Sequence, residues 1–129
     1  MHHKAAVDTN VLIRIATGDL PDVALRLVKD IATFPKASIW LGEAVFAEAV
    51  FVLSSPKQYG LSRAAIRSIG QEILATRQFA CEREVLQAAI DAYAATKLDF
   101  VDCLLLSQKR CGKVSQLFTL DSELKKISI

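Results

Sequence analysis

The sequence predicts an α/β fold with a short, mostly parallel central sheet flanked by helices, and three observations carry that expectation. Short runs of strand type, at 5–7, 37–41, 79–81 and 115–120, alternate with longer stretches of helical periodicity, as in sheets whose parallel strands are joined by crossover helices. Asp8 and Asp121 each follow directly on one of those runs, at the carboxyl end of a strand, where open α/β sheets bind their ligands. The chain has 129 residues, 52% of them hydrophobic, which is material for one core, so residues 1–129 are expected to form a single domain.

Residues 5–7 are apolar and run into Asp8-Thr9-Asn10, a buried strand ending in a polar turn. A helix follows, with Val11, Leu12 and Ile15 at helical spacing and Gly18 as its stop. Asp19-Leu-Pro-Asp opens the next, in which Val23, Leu25, Leu27, Val28 and Ile31 form a broad apolar stripe as far as Phe34, before Pro35 ends it. Residues 37–41, with Ile39 and Trp40, are a second strand, and 43–53, rich in Ala, a buried helix. After Ser54-Ser-Pro-Lys, residues 61–76 read as an amphipathic helix beginning near Ser62, 79–81 as a third strand, and 84–96 as helix again. Asp99 caps a helix to Arg110, Gly112 stops it, 115–120 supply a last strand, and 121–126 a short helix. The closing Ile-Ser-Ile is suited to a sheet edge.

The apolar stretches fall short of the roughly 20 residues that cross a bilayer, and the N-terminus lacks a signal peptide's apolar core, so a soluble cytoplasmic protein without membrane contact is expected. Cys81, Cys103 and Cys111 have no C-x-x-C spacing and leave one unpaired in any scheme; they read as small buried hydrophobes. Adjacent His2 and His3 do not aim at one ion. The formal charge of +2 does not indicate a nucleic-acid partner; the clusters Lys57, Arg63, Arg67 and Lys109, Arg110, Lys113 read either as solvated helix faces or as surfaces for phosphates.

Most of the fourteen acidic residues lie in polar surroundings, but Asp8, Glu48, Asp102 and Asp121 lie in apolar ones and are expected to point inward or line a cleft. On a helix, Glu48 shares a face with Val45, Phe51 and Val52, where an unpartnered carboxylate costs several kcal/mol. No Lys or Arg stands at helical spacing from any of the four within its own segment, except Lys125 after Asp121. Carboxylates that converge repel, and a divalent cation reverses that; hard oxygen donors without His or Cys suit Mg²⁺ or Mn²⁺ and phosphodiester chemistry. Each Asp also has an ordinary reading. Asp8 caps the first helix, Asp102 is the acid of a capping box opened by Asp99, and Asp121 caps the last helix. For Glu48 the alternative is a buried pair with a distant Arg.

Val7-Asp8-Thr9-Asn10-Val11-Leu12, Glu48-Ala-Val-Phe-Val-Leu, Asp99-Phe-Val-Asp102-Cys-Leu-Leu and Thr119-Leu-Asp121, in this order, resemble the PIN-domain nucleases, and among them the VapC-type toxins of toxin–antitoxin pairs. The resemblance spans nearly the whole chain and implies a PIN-like three-layer domain. It implies that Asp8, Glu48, Asp102 and Asp121 are the catalytic acids. Asp8 and Asp102 would be the leading ligands of Mg²⁺ or Mn²⁺, with Glu48 and Asp121 bound directly or through water, and either of these two orienting or deprotonating the attacking water. Asn10 and Thr119 match accompanying polar positions that hold carboxylates or substrate, and Asp99 stands one helical turn before Asp102. Glu43 is set aside as an acid at a helix start. The family's usual Trp in the middle motif is Phe51 here, a change expected to affect packing.

The resemblance further implies an RNA substrate, a homodimer and a small antitoxin filling a groove near the site. A PIN-like RNA-binding or regulatory module without hydrolysis is the alternative, and an Asp-centred phosphotransfer domain a third reading, which lacks the second acid of an Asp-x-Asp motif after Asp8.

Overall fold

The structure, a computed structural model, describes residues 2–127. Strands β1 (Ala5–Ala6), β2 (Ile39–Trp40) and β3 (Phe79–Ala80) pair in that order, all parallel, with Ala5 opposite Ile39 and Ile39 opposite Phe79. Beyond the strands, Val7 N donates to Trp40 O at 3.1 Å and Leu41 N to Ala80 O at 2.9 Å, so the ladder carries on to the carboxyl ends. Alternation puts Ile39 and Leu41 of the central strand into the core, while Trp40 between them is exposed.

The crossovers are helical. Between β1 and β2 run α1 (Thr9–Thr17) and α2 (Pro21–Ala32); between β2 and β3, α3 (Glu43–Ser54) and α4 (Arg63–Leu74). Then come α5 (Arg83–Ala95), α6 (Phe100–Arg110) and the short α7 (Ser122–Ile127). The expected punctuation is present. Asp8 caps α1, Ser62 caps α4 through a 3.1 Å bond from Ala65 N, Asp99 caps α6, and Gly18 closes α1 at a left-handed φ of 63° that a side chain would strain.

The core lies where α3, α4, α5 and α6 meet the sheet, and α5 packs against both α4 and α6. Phe46, Phe100 and Tyr93 stack through it, with ring centroids 5.6 Å and 6.1 Å apart in the two successive pairs. Gly70 lets α4 close on its neighbours, since a Cβ there would stand 3.0 Å from Ile90 Cγ1 and 3.3 Å from Phe46 Cζ. Cys103 is buried as expected, whereas Cys81 and Cys111 are half-buried; all three are free thiols.

The chain departs from expectation in two elements. Residues 115–120 form no strand: a strand needs a partner, none of the described strands pairs with them, and Phe118 and Leu120 are 88% and 97% exposed. The apolar stripe of α2 packs on α1 but leaves Val23, Leu25 and Val28 exposed, with no residue of that helix fully buried. The edge pairing expected of the C-terminal Ile-Ser-Ile concerns residues that lie largely outside the described ones. No helix among the described residues is long and apolar enough to cross a membrane.

Candidate active site

At the carboxyl end of β1 the chain turns into α1, and the first helical turn needs acceptors for its free amides. Asp8 Oδ1 accepts from Val11 N at 3.0 Å, which fixes the exposed carboxylate where it lines a cleft and leaves its second oxygen outside the cap. The cleft, about 440 Å³, runs along one side of α1 and is walled by α3 and the loop after it. Asp8, Thr9, Asn10 and Arg14 line it from α1, Glu48 and Val52 from α3, and Gln58 and Tyr59 from the loop.

Glu48 therefore lines the same cleft as Asp8, but it is exposed and makes no hydrogen bond among the described residues. The expectation of a carboxylate enclosed by apolar side chains is corrected here. α3 is apolar on nearly every face, yet only Phe46, Ala49, Val50 and Leu53 are buried, and Phe51 beside Glu48 is 70% exposed. Solvent, not an ion pair, accounts for the charge.

The other acids gather at the start of α6. Asp99 Oδ1 accepts from Asp102 N at 2.9 Å, and half-buried Asp102 stands within electrostatic reach of Asp99 and Asp121. Burial foremost, then the charges of Asp99 and Asp121, push the Asp102 carboxyl above its ordinary pKa. Asp121 Oδ1 caps α7 through Leu124 N at 2.9 Å, and Thr119 Oγ1 accepts from Asp121 N at 3.0 Å, so Thr119 positions that residue's backbone. The capping readings of Asp8, Asp99 and Asp121 are thus all realised, and each cap uses one carboxylate oxygen.

The acids thus fall into two groups, Asp8 with Glu48 and Asp102 with Asp99 and Asp121. The ion pairs formed among the described residues, Arg14–Asp19, Arg67–Asp91 and Lys113–Glu82, leave all five out. No three carboxylate, imidazole or thiol groups among the described residues stand close enough to enclose an ion. The donors are hard oxygens, which suit a hard divalent cation over a soft one, and they stand in two groups that do not close round one point among the described residues.

The sequence reading missed the other end of the cleft. Arg14 Nη1 donates to Asp19 Oδ2 at 2.7 Å, to Asp19 Oδ1 at 2.9 Å and to Tyr59 Oη at 3.3 Å, while Tyr59 Oη donates to Asp19 Oδ2 at 2.6 Å. Asn10 and Arg14, four apart on one helix, were the available signal; Tyr59, which comes from a distant loop, gave none. Tyr59 foremost, then Arg14 and Thr17, hold the Asp19 carboxyl down to about 2. A depressed carboxylate pKa gives stability that is present above the ordinary carboxylate range and lost as pH falls through the folded value, so this clamp should outlast most acid titration. Carboxyl NMR is expected to place the Asp19 midpoint near 2, and Tyr59→Phe to move it up; an ordinary midpoint in the wild-type chain contradicts the clamp.

The basic clusters prove less available to phosphate than their sequence suggests. Arg63 donates to the carbonyls of Tyr93, Thr96 and Leu98 at 2.9, 3.2 and 2.6 Å, and Arg67 pairs with Asp91. Lys113 pairs with Glu82 at 3.6 Å.

No curated protein and no solved structure matches the chain. The family model described as the PIN domain matches residues 5–129, a span that contains the strand-end Asp8, the cleft acid Glu48 and the α6–α7 acids, and the chain belongs to that family.

Proposed function

We propose that the protein is a single-domain, divalent-metal-dependent endoribonuclease and the toxin of a toxin–antitoxin pair. Asp8 and Asp102 are the leading ligands for Mg²⁺ or Mn²⁺, and Glu48 and Asp121 complete the set directly or through water. The observation that carries this reading is the placement of the acids: Asp8 ends the first strand and lines one cleft with Glu48, and Asp102 stands within electrostatic reach of Asp99 and Asp121 in a chain of the PIN family. PIN domains are generally nucleases, and RNA is the substrate class of the subfamily that the four motifs resemble.

When bound, the ion supplies Lewis acidity toward phosphodiester oxygens and water. The chain's own residues do the rest. Glu48, exposed in the cleft and free of hydrogen bonds among the described residues, takes the proton of the attacking water as its oxygen bonds to phosphorus. The bond from phosphorus to the leaving oxygen breaks, and that oxygen is protonated from solvent. Asp121, with one oxygen committed to its cap, is the less available base. Asn10, on the cleft wall, is placed to hold the substrate, and Asp99 and Thr119 position Asp102 and Asp121 through their backbone amides.

Uncovered apolar surface supports two partner readings. A groove of about 210 Å³ between α1, α2 and α4, lined by Leu12, Ile15, Val28, Ile31, Ile69 and Ile73, suits the apolar face of a small antitoxin. Exposed Phe51 and Val101, which line one hollow with Phe100 and Tyr93, suit a homodimer.

The test is cleavage of structured and single-stranded RNA by the purified chain, with Mg²⁺ or Mn²⁺ and after chelation. Cleavage that needs the ion is expected; equal cutting without it sinks the reading. Among the described residues the acids do not close on one point, which leaves room for a second reading, a non-catalytic RNA-binding module. Tight RNA binding with no cleavage under any divalent ion would establish that one.

A further inference from the structure

The cleft has a second chemical character beside its acids. Arg14 lies six residues beyond Asp8 on the same helix, an axial separation of about 9 Å, and lines the same cleft. Its side chain is 29% exposed. All of its hydrogen bonds leave from Nη1, two to Asp19 and one to Tyr59, so Nε and Nη2 have no partner among the described residues. Those two nitrogens make one edge of the guanidinium, a planar fork that matches two oxygens of a phosphate.

From this arrangement we infer that Arg14 is a substrate-positioning residue, whose Nε/Nη2 edge takes an RNA backbone phosphate next to the one that is cut. The inference rests on the ribonuclease reading of the same cleft. Asp19 and Tyr59 belong to the device because they hold the guanidinium before the substrate arrives, which spares most of the entropy of fixing a long side chain. Asp19 also keeps Arg14 from turning toward Asp8 and Glu48, where an ion pair would block the cleft. Of the basic residues, Arg14 alone lines that cleft, whereas Arg63, Arg67 and Lys113 are engaged elsewhere. A strand laid along α1 then meets cation-binding acids at one end and a fixed fork at the other, which sets its register.

The experiment measures binding of a single-stranded oligoribonucleotide by anisotropy at several salt concentrations, with Mg²⁺ present and in an Asp102→Asn background that suppresses cutting. Arg14→Gln is expected to weaken binding about tenfold, the loss of one charge-assisted fork. It should also lower the slope of log affinity against log salt by about 0.7, one phosphate contact on a single strand. Arg14→Lys should restore the slope but not the full affinity, since it keeps the charge and loses the fork. In the cleaving chain, Arg14→Gln should raise KM more than it lowers kcat.

A merely structural Arg14 would lower Tm and leave slope and affinity where they were, and that result overturns the inference while the nuclease reading stands. Binding without cleavage in the wild-type chain fails the nuclease reading, and the slope still decides Arg14. If the wild-type chain binds no RNA, both fall. Should Arg14→Gln fail to fold, the Arg14 Nε–H resonance of the Asp102→Asn chain is followed instead. A shift that saturates with oligonucleotide supports the inference, and an unmoved resonance in the bound state overturns it.

Discussion

Asp102→Asn should abolish metal-dependent RNA cleavage, by at least about a hundredfold in kcat/KM, or roughly 2.7 kcal/mol of transition-state stabilisation, without destabilising the metal-free protein. The two halves of this expectation have one cause. Burial and the charges of Asp99 and Asp121 raise the pKa of the Asp102 carboxyl, so its ionised form at neutral pH opposes folding. Asn occupies the same volume without the charge and removes that cost. A group that serves folding behaves the other way, losing stability when it is neutralised. Asp102→Asn should therefore hold or raise Tm in chelator while Mn²⁺ binding, followed by calorimetry, falls away. Asp8→Asn should share the loss of activity. A variant that keeps wild-type, metal-dependent cutting removes Asp102 from the mechanism.

The fold was legible largely where local chemistry fixes it. Gly18 stops α1, Ser62 starts α4, and Asp8 and Asp99 take the caps that their positions require. These need only neighbours within a turn. The sheet was legible as a pattern of short apolar runs, but 115–120 shows the limit: alternation and β propensity do not supply a partner strand, and Leu120 ends almost wholly exposed. Glu48 marks another limit. A helix that is apolar on every side carries no mark of which face meets the core, so the enclosure of Glu48 was inferred from neighbours that are themselves exposed, Phe51 above all. The second end of the cleft could not be read because Arg14 and Tyr59 are 45 residues apart and meet only in the folded chain. The order of the acidic motifs, by contrast, was enough to anticipate the family that the chain belongs to.

Arg63→Ala should be the most damaging substitution of a half-exposed side chain, at roughly 3 kcal/mol, a fall in Tm of roughly 10 °C. Arg63 reads in the sequence as one of a basic trio, yet its guanidinium is spent on carbonyls about thirty residues away: Tyr93, Thr96 and Leu98 from Nη1, and Lys97 from Nη2 at 3.3 Å. It also lies 4.1 Å from the centroid of the Tyr93 ring. These carbonyls belong to the end of α5 and the link into α6, where helical partners run out. Alanine strands several of them at once, and Lys, with no planar fork, should recover less than half of the loss. The effect should reach the site. Leu98, held by the shortest of the bonds, directly precedes Asp99, the cap of the helix that carries Asp102, so loosening this link frees Asp102 to wander. Mn²⁺ affinity should therefore drop in Arg63→Ala even at temperatures where the protein is fully folded. Arg83 provides the control. It binds the carbonyls of Leu74, Thr76 and Phe79 around the amino end of β3, away from the strand ends that lead into the acids. Arg83→Ala should cost stability and leave Mn²⁺ affinity unchanged; equal loss of affinity in both variants would mean that the metal reports general loosening, and that Arg63 has no particular hold on Asp102.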